Sequence, residues 1–162
     1  MNRNLLLSAI AIGALCGLWA FGAPFIGLSI WAGFAGCTAY FACGRRLLPG
    51  LGLTLATTLV GVLTGLAMIH LGGAIGGAVG TGIAVGLIVT AIVLMGAVPF
   101  LAFVPGIFVG CYSTFAIDAD WQLLGLSLIA GAILGLACDW AAEQLVKVGG
   151  TKDAEPATVE AA

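Results

Sequence analysis

The stretch LGGAIGGAVGTGIAVGL, residues 71–87, decides the fold class of this chain. Its second half, GTGIAVG at 80–86, resembles a glycine loop that cradles the phosphates of a nucleotide. Such a loop needs a preceding strand and either a Lys-Ser/Thr pair or an acidic residue about 20 residues further on. The stretch instead opens an apolar run of bilayer length, in which glycines let neighbouring helices approach closely. It therefore predicts a membrane helix and not a nucleotide site.

The composition of the whole chain supports this assignment. Hydrophobic residues make up 62% of the 162 residues, charged residues only 7%, and the mean hydropathy is +1.22. A soluble domain carries about 25% charged residues, which it needs to cover its surface. The lipid bilayer is therefore the expected partner, and the absence of a basic patch argues against nucleic acid.

Six apolar segments are long enough to cross about 30 Å of hydrocarbon as helices. They predict an all-α, polytopic fold with a transmembrane domain over residues 1–148 and a disordered cytoplasmic tail at 149–162. The six segments are 4–22, 25–43, 50–70, 75–97, 99–116 and 121–143.

The basic residues indicate how these segments are oriented. If all six segments cross and the N-terminus is cytoplasmic, every Lys and Arg falls on the cytoplasmic side, as the positive-inside rule requires. The C-terminus is then cytoplasmic as well. The basic residues are Arg3, Arg45, Arg46, Lys147 and Lys152.

The second and fifth segments resemble each other. Both begin P-F-[IL], at Pro24 and Pro99, and both continue F-x-G-C-x-[AS]-x-F-A, from Phe34 and Phe108. The match predicts two copies of a three-helix unit, repeat one about 4–70 and repeat two about 75–146. Because three crossings are an odd number, the second copy is expected to be inverted, with a solute site near the midplane between the copies.

Glycines at small-xxx-small spacing are expected to form the helix contacts, because membrane helices associate through close backbone packing. So many glycine faces also predict a homo-oligomer. The candidate packing residues are Gly13, Gly17, Gly61, Gly65, Gly76, Gly80, Gly82, Gly86, Gly131 and Gly135.

The repeated motif also supplies a candidate solute path. A cavity built from these residues would be narrow, apolar and uncharged, which suits a small neutral or weakly polar solute. Pro105 lies inside the fifth segment and is expected to kink or break it. The alternative is a glycine-assisted helix crossing filled with aromatic rings. The candidate path residues are Phe34, Gly36, Cys37, Pro105, Gly106, Phe108, Gly110 and Cys111.

Few residues carry polar chemistry. Asp139 and Glu143 are expected on a solvated face at the cytoplasmic end of the sixth segment, and no ionisable residue is expected deep in a span. The five cysteines form no CxxC pair and lack a neighbouring His, so they are expected to be buried free thiols. No metal, cofactor or catalytic set is expected, and the chain is not expected to be an enzyme.

The motif pair, including VPGIFVGCYSTFA at 104–116, resembles a small family of YcdZ-like bacterial inner-membrane proteins that is catalogued only as a domain of unknown function. The resemblance covers the chain to about residue 146. It implies a multi-pass protein of the bacterial cytoplasmic membrane and brings no established activity or catalytic residue.

The function that these observations favour is a channel or facilitator for a small neutral or weakly polar solute. The alternative is a non-transporting scaffold or accessory subunit, and an ion-coupled carrier comes third because charged groups inside the spans are missing. A continuous cavity near Gly36, Cys37, Pro105 and Cys111 would favour the channel. A closed core there, with glycine faces on the outside, would favour the scaffold.

Overall fold

The computed structural model describes residues 3–149, and over these residues the fold is all-helical, as predicted. Apart from Gly149, which ends the last helix, the predicted tail lies outside the described residues. The helices are α1 Arg3–Gly22, α2 Ile30–Ala42, α3 Leu47–Ile75, α4 Gly77–Met95, α5 Val104–Ala116 and α6 Trp121–Gly149, with short 3-10 helices at Ala23–Ile26 and Pro99–Leu101.

The second and fifth apolar segments are both interrupted. The prediction that the second forms one continuous helix is wrong, and the break expected at Pro105 in the fifth lies before that residue. Pro24 lies in the first turn of the 3-10 helix, which Gly27 ends with a φ of +71°, and α2 begins only after the N-cap Ser29. The fifth segment breaks in the same way before α5, so Pro105 lies in the first turn of α5. Proline is tolerated there because its missing N–H has no partner in a first turn. Pro105 therefore follows the break and kinks no helix interior.

Helix length separates two classes of segment. Four stretches are long and apolar enough to cross a membrane: Arg3–Ile26, Leu47–Ile75, Gly77–Met95 and Trp121–Val148. By contrast, α2 and α5 have 13 residues each. At 1.5 Å per residue they span roughly 20 Å, less than the hydrocarbon core of a bilayer.

The helices pack as two groups of three, and each group combines helices from both halves of the chain. The most extensive contacts join α3 to α5 and α2 to α6, while α4 packs on α3 and α1 packs on α6. The α6 group is therefore α1, α2 and α6, and the α3 group is α3, α4 and α5. The two groups meet mainly where α3 contacts α6.

Specific contacts give the directions of the helices. Ser29 and Tyr40 on α2 hydrogen-bond to Ser127 and Asp139 on α6, so these two helices run parallel. On α5, Gly106 lies against Thr57 and Thr114 against Gly65, so α5 runs parallel to α3. The start of α3 lies beside the later part of α6, so these two helices run antiparallel. It follows that α2 and α5 run in opposite directions.

The interior of the bundle is built from small and hydroxyl-bearing side chains, whereas the outside is apolar. The buried polar side chains other than Asp139 are Thr54, Thr57, Thr58, Thr64, Ser113, Thr114 and Ser127. On α1 only Ala11 is fully buried, and large side chains such as Leu18 and Phe21 are exposed. This inside-out distribution is what a lipid environment favours, because lipid solvates apolar side chains and small residues let helices touch.

Candidate functional site

A buried carboxylate lies where α2, α3 and α6 meet. The side chain of Asp139 is 9% exposed and accepts hydrogen bonds from three groups. The Tyr40 hydroxyl donates to Oδ2 at 2.8 Å, Arg46 donates from Nε to Oδ1 at 2.9 Å, and the backbone N–H of Leu47 approaches Oδ2 at 3.4 Å. We call Tyr40, Arg46, Leu47 and Asp139 the Asp139 cluster. The cluster ties the start of α3 to both helices of the parallel α2–α6 pair.

Hydrogen bonds connect the members of the Asp139 cluster to one another. The N–H of Leu47 donates to the Tyr40 hydroxyl at 2.7 Å, and that hydroxyl in turn donates to Asp139. Leu47 has a φ of +54°, a conformation that costs a non-glycine residue about 1–3 kcal/mol, and the hydrogen bond from its N–H to Tyr40 holds it there. Hydrogen bonds to Asp139 raise the pKa of the Arg46 guanidinium above its ordinary value, so the cation opposite the carboxylate stays charged.

The expectation that Asp139 lies on a solvated face is therefore wrong, although it holds better for Glu143. The Glu143 side chain is 30% exposed and pairs with Lys147 one helical turn further on. Its other carboxylate oxygen lies 3.8 Å from Nη2 of Arg46. These contacts place the 45–46 loop and the C-terminal end of α6 at the same end of the bundle.

The glycines of the repeated motif lie at helix crossings. A side chain at Gly36 would strike the carbonyl of Leu128 on α6, and one at Gly110 would strike the carbonyl of Thr58 on α3. The facing glycines are equally close: Gly131 lies against the backbone of Gly33, and Gly61 against the carbonyl of Ile107. The backbones touch at both crossings, so neither crossing leaves room for a solute in this conformation.

The other candidate packing glycines divide into two sets. Gly65, Gly80 and Gly135 are in close contact, with Thr114, Gly72 and Tyr40 respectively. The remaining five have no atom within 4 Å of where a side chain would begin, and among them Gly76, with a φ of +86°, forms the turn between α3 and α4. The other four open glycines are Gly13, Gly17, Gly82 and Gly86.

The candidate path residues do not form one continuous channel wall. Cys111 lies on α5 with its Sγ 3.7 Å from Sδ of Met68, whereas Cys37 faces two other thiols on the opposite side of the bundle. Gly106 is buried against Thr57, and Pro105 is exposed. Phe34 and Phe108 are half-buried. The structure thus divides these eight residues between the α2–α6 and α3–α5 crossings.

Two open grooves lie along the contact between the helix groups. One, of about 360 Å³, is lined by Leu47, Leu48 and the 133–140 part of α6. The other, of about 550 Å³, lies toward the opposite end, between the 59–63 part of α3 and the 121–129 part of α6. Both are predominantly apolar, and Gln122 is the polar side chain on the second groove. The concave surface therefore follows the α3–α6 contact and not the glycine crossings.

Sequence reasoning missed Tyr40 and the buried hydroxyls. Tyr40 is 99 residues from Asp139, and nothing in the local sequence of either residue indicates the contact. The hydroxyls on α3 could have been found, since Thr54, Thr57 and Thr58 follow the helical i, i+3, i+4 spacing of a buried face. Thr54 Oγ1 and Ser113 Oγ are buried without a hydrogen-bond partner among the described residues.

Comparison with known proteins agrees with the resemblance seen in the sequence. The family model "Protein of unknown function (DUF1097)" matches residues 9–143. The chain is similar to inner membrane protein YcdZ of Salmonella typhimurium, with 42% identity over 83% of this chain and 85% of the relative. It is also similar to inner membrane protein YcdZ of Escherichia coli, with 41% identity over 83% of each protein. No solved structure matches. The chain is therefore a membrane-embedded helical protein that belongs to the DUF1097 family, whose curated relatives are bacterial inner membrane proteins.

Proposed function

We propose that all six helical segments cross the membrane, in two inverted three-helix halves with both termini cytoplasmic. The matched order of long, short and long helices in each half supports this arrangement, because α2 and α5 occupy corresponding places and have equal lengths. The antiparallel course of α2 and α5 is what an inverted repeat requires.

Contacts at corresponding residues further support the repeat. Gly36 on α2 meets α6, and Gly110, 74 positions later on α5, meets α3. Each half therefore places its second helix on the third helix of the other half. This exchange links the two copies into one unit and explains why the groups cross the boundary between the repeats.

Site-directed labelling tests the proposed topology. In spheroplasts, we expect an impermeant maleimide to label Asp118→Cys from outside. Arg45→Cys and Lys147→Cys should react only after the membrane is permeabilised, because both residues lie at the end of the bundle that carries the positive charges. The unsubstituted chain serves as the background control. Labelling of Arg45→Cys and Lys147→Cys from opposite sides would exclude the six-span arrangement.

We propose that the protein is a non-enzymatic facilitator for a small neutral or weakly polar solute, and that this conformation is closed. The observation that carries the proposal is the pair of interrupted segments at corresponding positions, a feature of membrane transporters whose solute site lies at the interface between the two repeats. Buried hydroxyls, two of them without a hydrogen-bond partner in the part of the chain that the structure describes, would suit a weakly polar solute. Because the glycine crossings are closed, we place the solute path at the α3–α6 contact, where the α6 group would rock against the α3 group.

Solute uptake into proteoliposomes tests the facilitator. In stopped-flow light scattering with urea and glycerol, we expect the protein to speed uptake relative to empty vesicles. Leu126→Trp in the larger groove should slow this uptake several-fold. Leu94→Trp is the matched control, because both leucines are exposed, 59% and 70%, but Leu94 lies on α4 away from the groove. Equal rates in both variants would exclude the α3–α6 path, and no acceleration for either solute would exclude a facilitator of these solutes.

A scaffold or accessory subunit is the second candidate, favoured by the closed glycine crossings together with the open glycines on α1 and α4. Gly13 and Gly17 lie four residues apart on exposed α1, and Gly82 and Gly86 do so on exposed α4. Such faces suit close contact with another membrane helix, for example in a homo-oligomer. Absence of uptake from a folded, reconstituted protein would favour this candidate over the facilitator.

A further inference from the structure

Three thiols from three different helices converge in the α6 group. The Sγ atoms of Cys16 on α1, Cys37 on α2 and Cys138 on α6 all lie within 4.8 Å of one another. Cys37 and Cys138 are buried, at 6% and 0% exposure, whereas Cys16 is half-buried. We call these residues the thiol cluster. No fourth Cys, His, Asp or Glu within residues 3–149 joins it.

The two other cysteines have different surroundings. Cys111, which corresponds to Cys37 in the sequence repeat, contacts the thioether of Met68. The Cys43 thiol donates to the carbonyls of Arg45 and Gly50, at 3.3 Å and 3.7 Å. Small buried thiols alone would account for each cysteine separately. They do not account for three of them meeting at one point, which places three soft sulfur ligands around one small volume.

The geometry suits an ion with three sulfur ligands. With bonds of about 2.3 Å, three sulfurs lie about 4.0 Å apart around a planar centre and about 3.5 Å apart around a pyramidal one. From separations of up to 4.8 Å, the thiols would therefore need to close by roughly 1 Å. Soft sulfur ligands select soft, thiophilic ions. A structural zinc site takes four protein ligands, and the thiol cluster offers three.

Charge discriminates among the thiophilic ions. Three thiolates around Cu(I) or Zn²⁺ would carry a net charge of −2 or −1 in an apolar helix contact, which is expensive without a cation. The neighbouring residue of Cys138 is the anionic Asp139, whose carboxylate already engages Arg46. This penalty is avoided by a ligand that is neutral when it enters and that forms a neutral complex with the three sulfurs.

Trivalent arsenic satisfies both conditions. Arsenous acid reacts with three thiols as As(OH)₃ + 3 RSH → As(SR)₃ + 3 H₂O. Three As–S bonds form while three As–O bonds and three S–H bonds break, and each thiol proton leaves in a water molecule. Arsenic stays in the +3 state, so the step needs no oxidant or reductant, and no net charge enters the protein.

We propose that Cys16, Cys37 and Cys138 form a binding site for trivalent arsenic or a chemically similar metalloid hydroxide such as trivalent antimony. Cys16 is the first ligand, because it is the accessible member of the cluster. Cys37 and Cys138 complete the three-sulfur shell. The site does not depend on the proposed solute path, since it lies within the α6 group and away from the α3–α6 contact.

The test is arsenite binding to the reduced, full-length protein in detergent. After desalting, mass spectrometry should find one arsenic per chain, and X-ray absorption should show three sulfur neighbours and no oxygen. Cys16→Ser should replace one sulfur with oxygen and weaken arsenite binding on the order of 100-fold, because the third tethered bond is lost. Cys111→Ser is the control, a cysteine outside the thiol cluster, and should bind as the wild type does.

Cys16→Ser is the decisive variant because its half-buried position tolerates a hydroxyl, and circular dichroism verifies that it folds. Wild-type arsenite affinity in Cys16→Ser, or equal loss in Cys16→Ser and Cys111→Ser, would overturn the proposal. So would tight binding of Cu(I), supplied from a competing chelator, to a protein that binds no arsenite. That result would show that the site accepts a charged complex.

Discussion

Replacing Arg46 with alanine should lower the free energy of unfolding by about 1.5–3 kcal/mol, because it removes the charged hydrogen-bond partner of the buried Asp139 carboxylate. The value is below that of a fully buried ion pair because the Arg46 side chain is 53% exposed. Two guanidinium nitrogens of Arg46 bond to the same carboxylate oxygen. The carboxylate cannot turn to water instead, since its side chain is only 9% exposed. This loss of unfolding free energy is measured by SDS-induced unfolding of the protein in mixed micelles, followed by circular dichroism.

The neighbouring arginine provides a matched control. Arg45 carries the same charge in the same loop, is exposed, and makes no ion pair within the described part of the chain. Arg45→Ala should therefore change the unfolding free energy by less than about 0.5 kcal/mol. A similar loss in both variants would mean that Arg46 acts only through the net charge of the loop.

A second substitution separates charge from packing. Asp139→Asn keeps the shape of the side chain but removes its charge, so the Arg46→Ala/Asp139→Asn double variant no longer buries an unpaired anion. We expect it to be more stable than Arg46→Ala alone by at least about 1 kcal/mol. If the loss of unfolding free energy in the double variant equals the sum of the losses in the two single variants, Arg46 and Asp139 are not coupled. The interpretation of the Asp139 cluster then fails.

The sequence was sufficient for the fold class, the approximate helix positions and the family. Apolar run length and composition are local properties, and they identified the helices that became α1, α3, α4 and α6. The sequence did not reveal that the second segment is broken, and it placed the break of the fifth segment at Pro105 instead of before it. The signals for the second segment were present in Pro24 and Gly27, but hydropathy averages over such residues and reports one continuous run.

The Asp139 cluster and the thiol cluster could not have been predicted in the same way. Asp139 lies 93 residues from Arg46, and Cys138 lies 101 positions after Cys37. In a membrane helix, an acidic residue near one end is usually solvated, and a lone cysteine usually packs as a small apolar residue. The parallel packing of α2 on α6, at the glycine crossing, brings Tyr40 to Asp139 and Cys37 to Cys138.

The crossing at Gly36 therefore positions part of both clusters, and Gly110→Ala tests the corresponding crossing between α3 and α5. Gly110→Ala places a methyl group against the backbone carbonyl of Thr58, which cannot rotate away as a side chain would. Overpacking costs about 1–3 kcal/mol, and contact with backbone places this case at the upper end. Alanine recovers about 1 kcal/mol through its higher helix propensity. We expect a net loss of about 2 kcal/mol.

Gly82→Ala makes the same chemical change on α4, where no atom lies within 4 Å of the new methyl group. The higher helix propensity of alanine is then the only effect, so Gly82→Ala should raise the free energy of unfolding by up to about 1 kcal/mol. The two variants differ in the sign of the effect, which the SDS titration resolves without an absolute stability scale. If Gly110→Ala also stabilises the protein, the helices are not in backbone contact at Gly110, and the closed crossing no longer argues for placing a solute path at the α3–α6 contact.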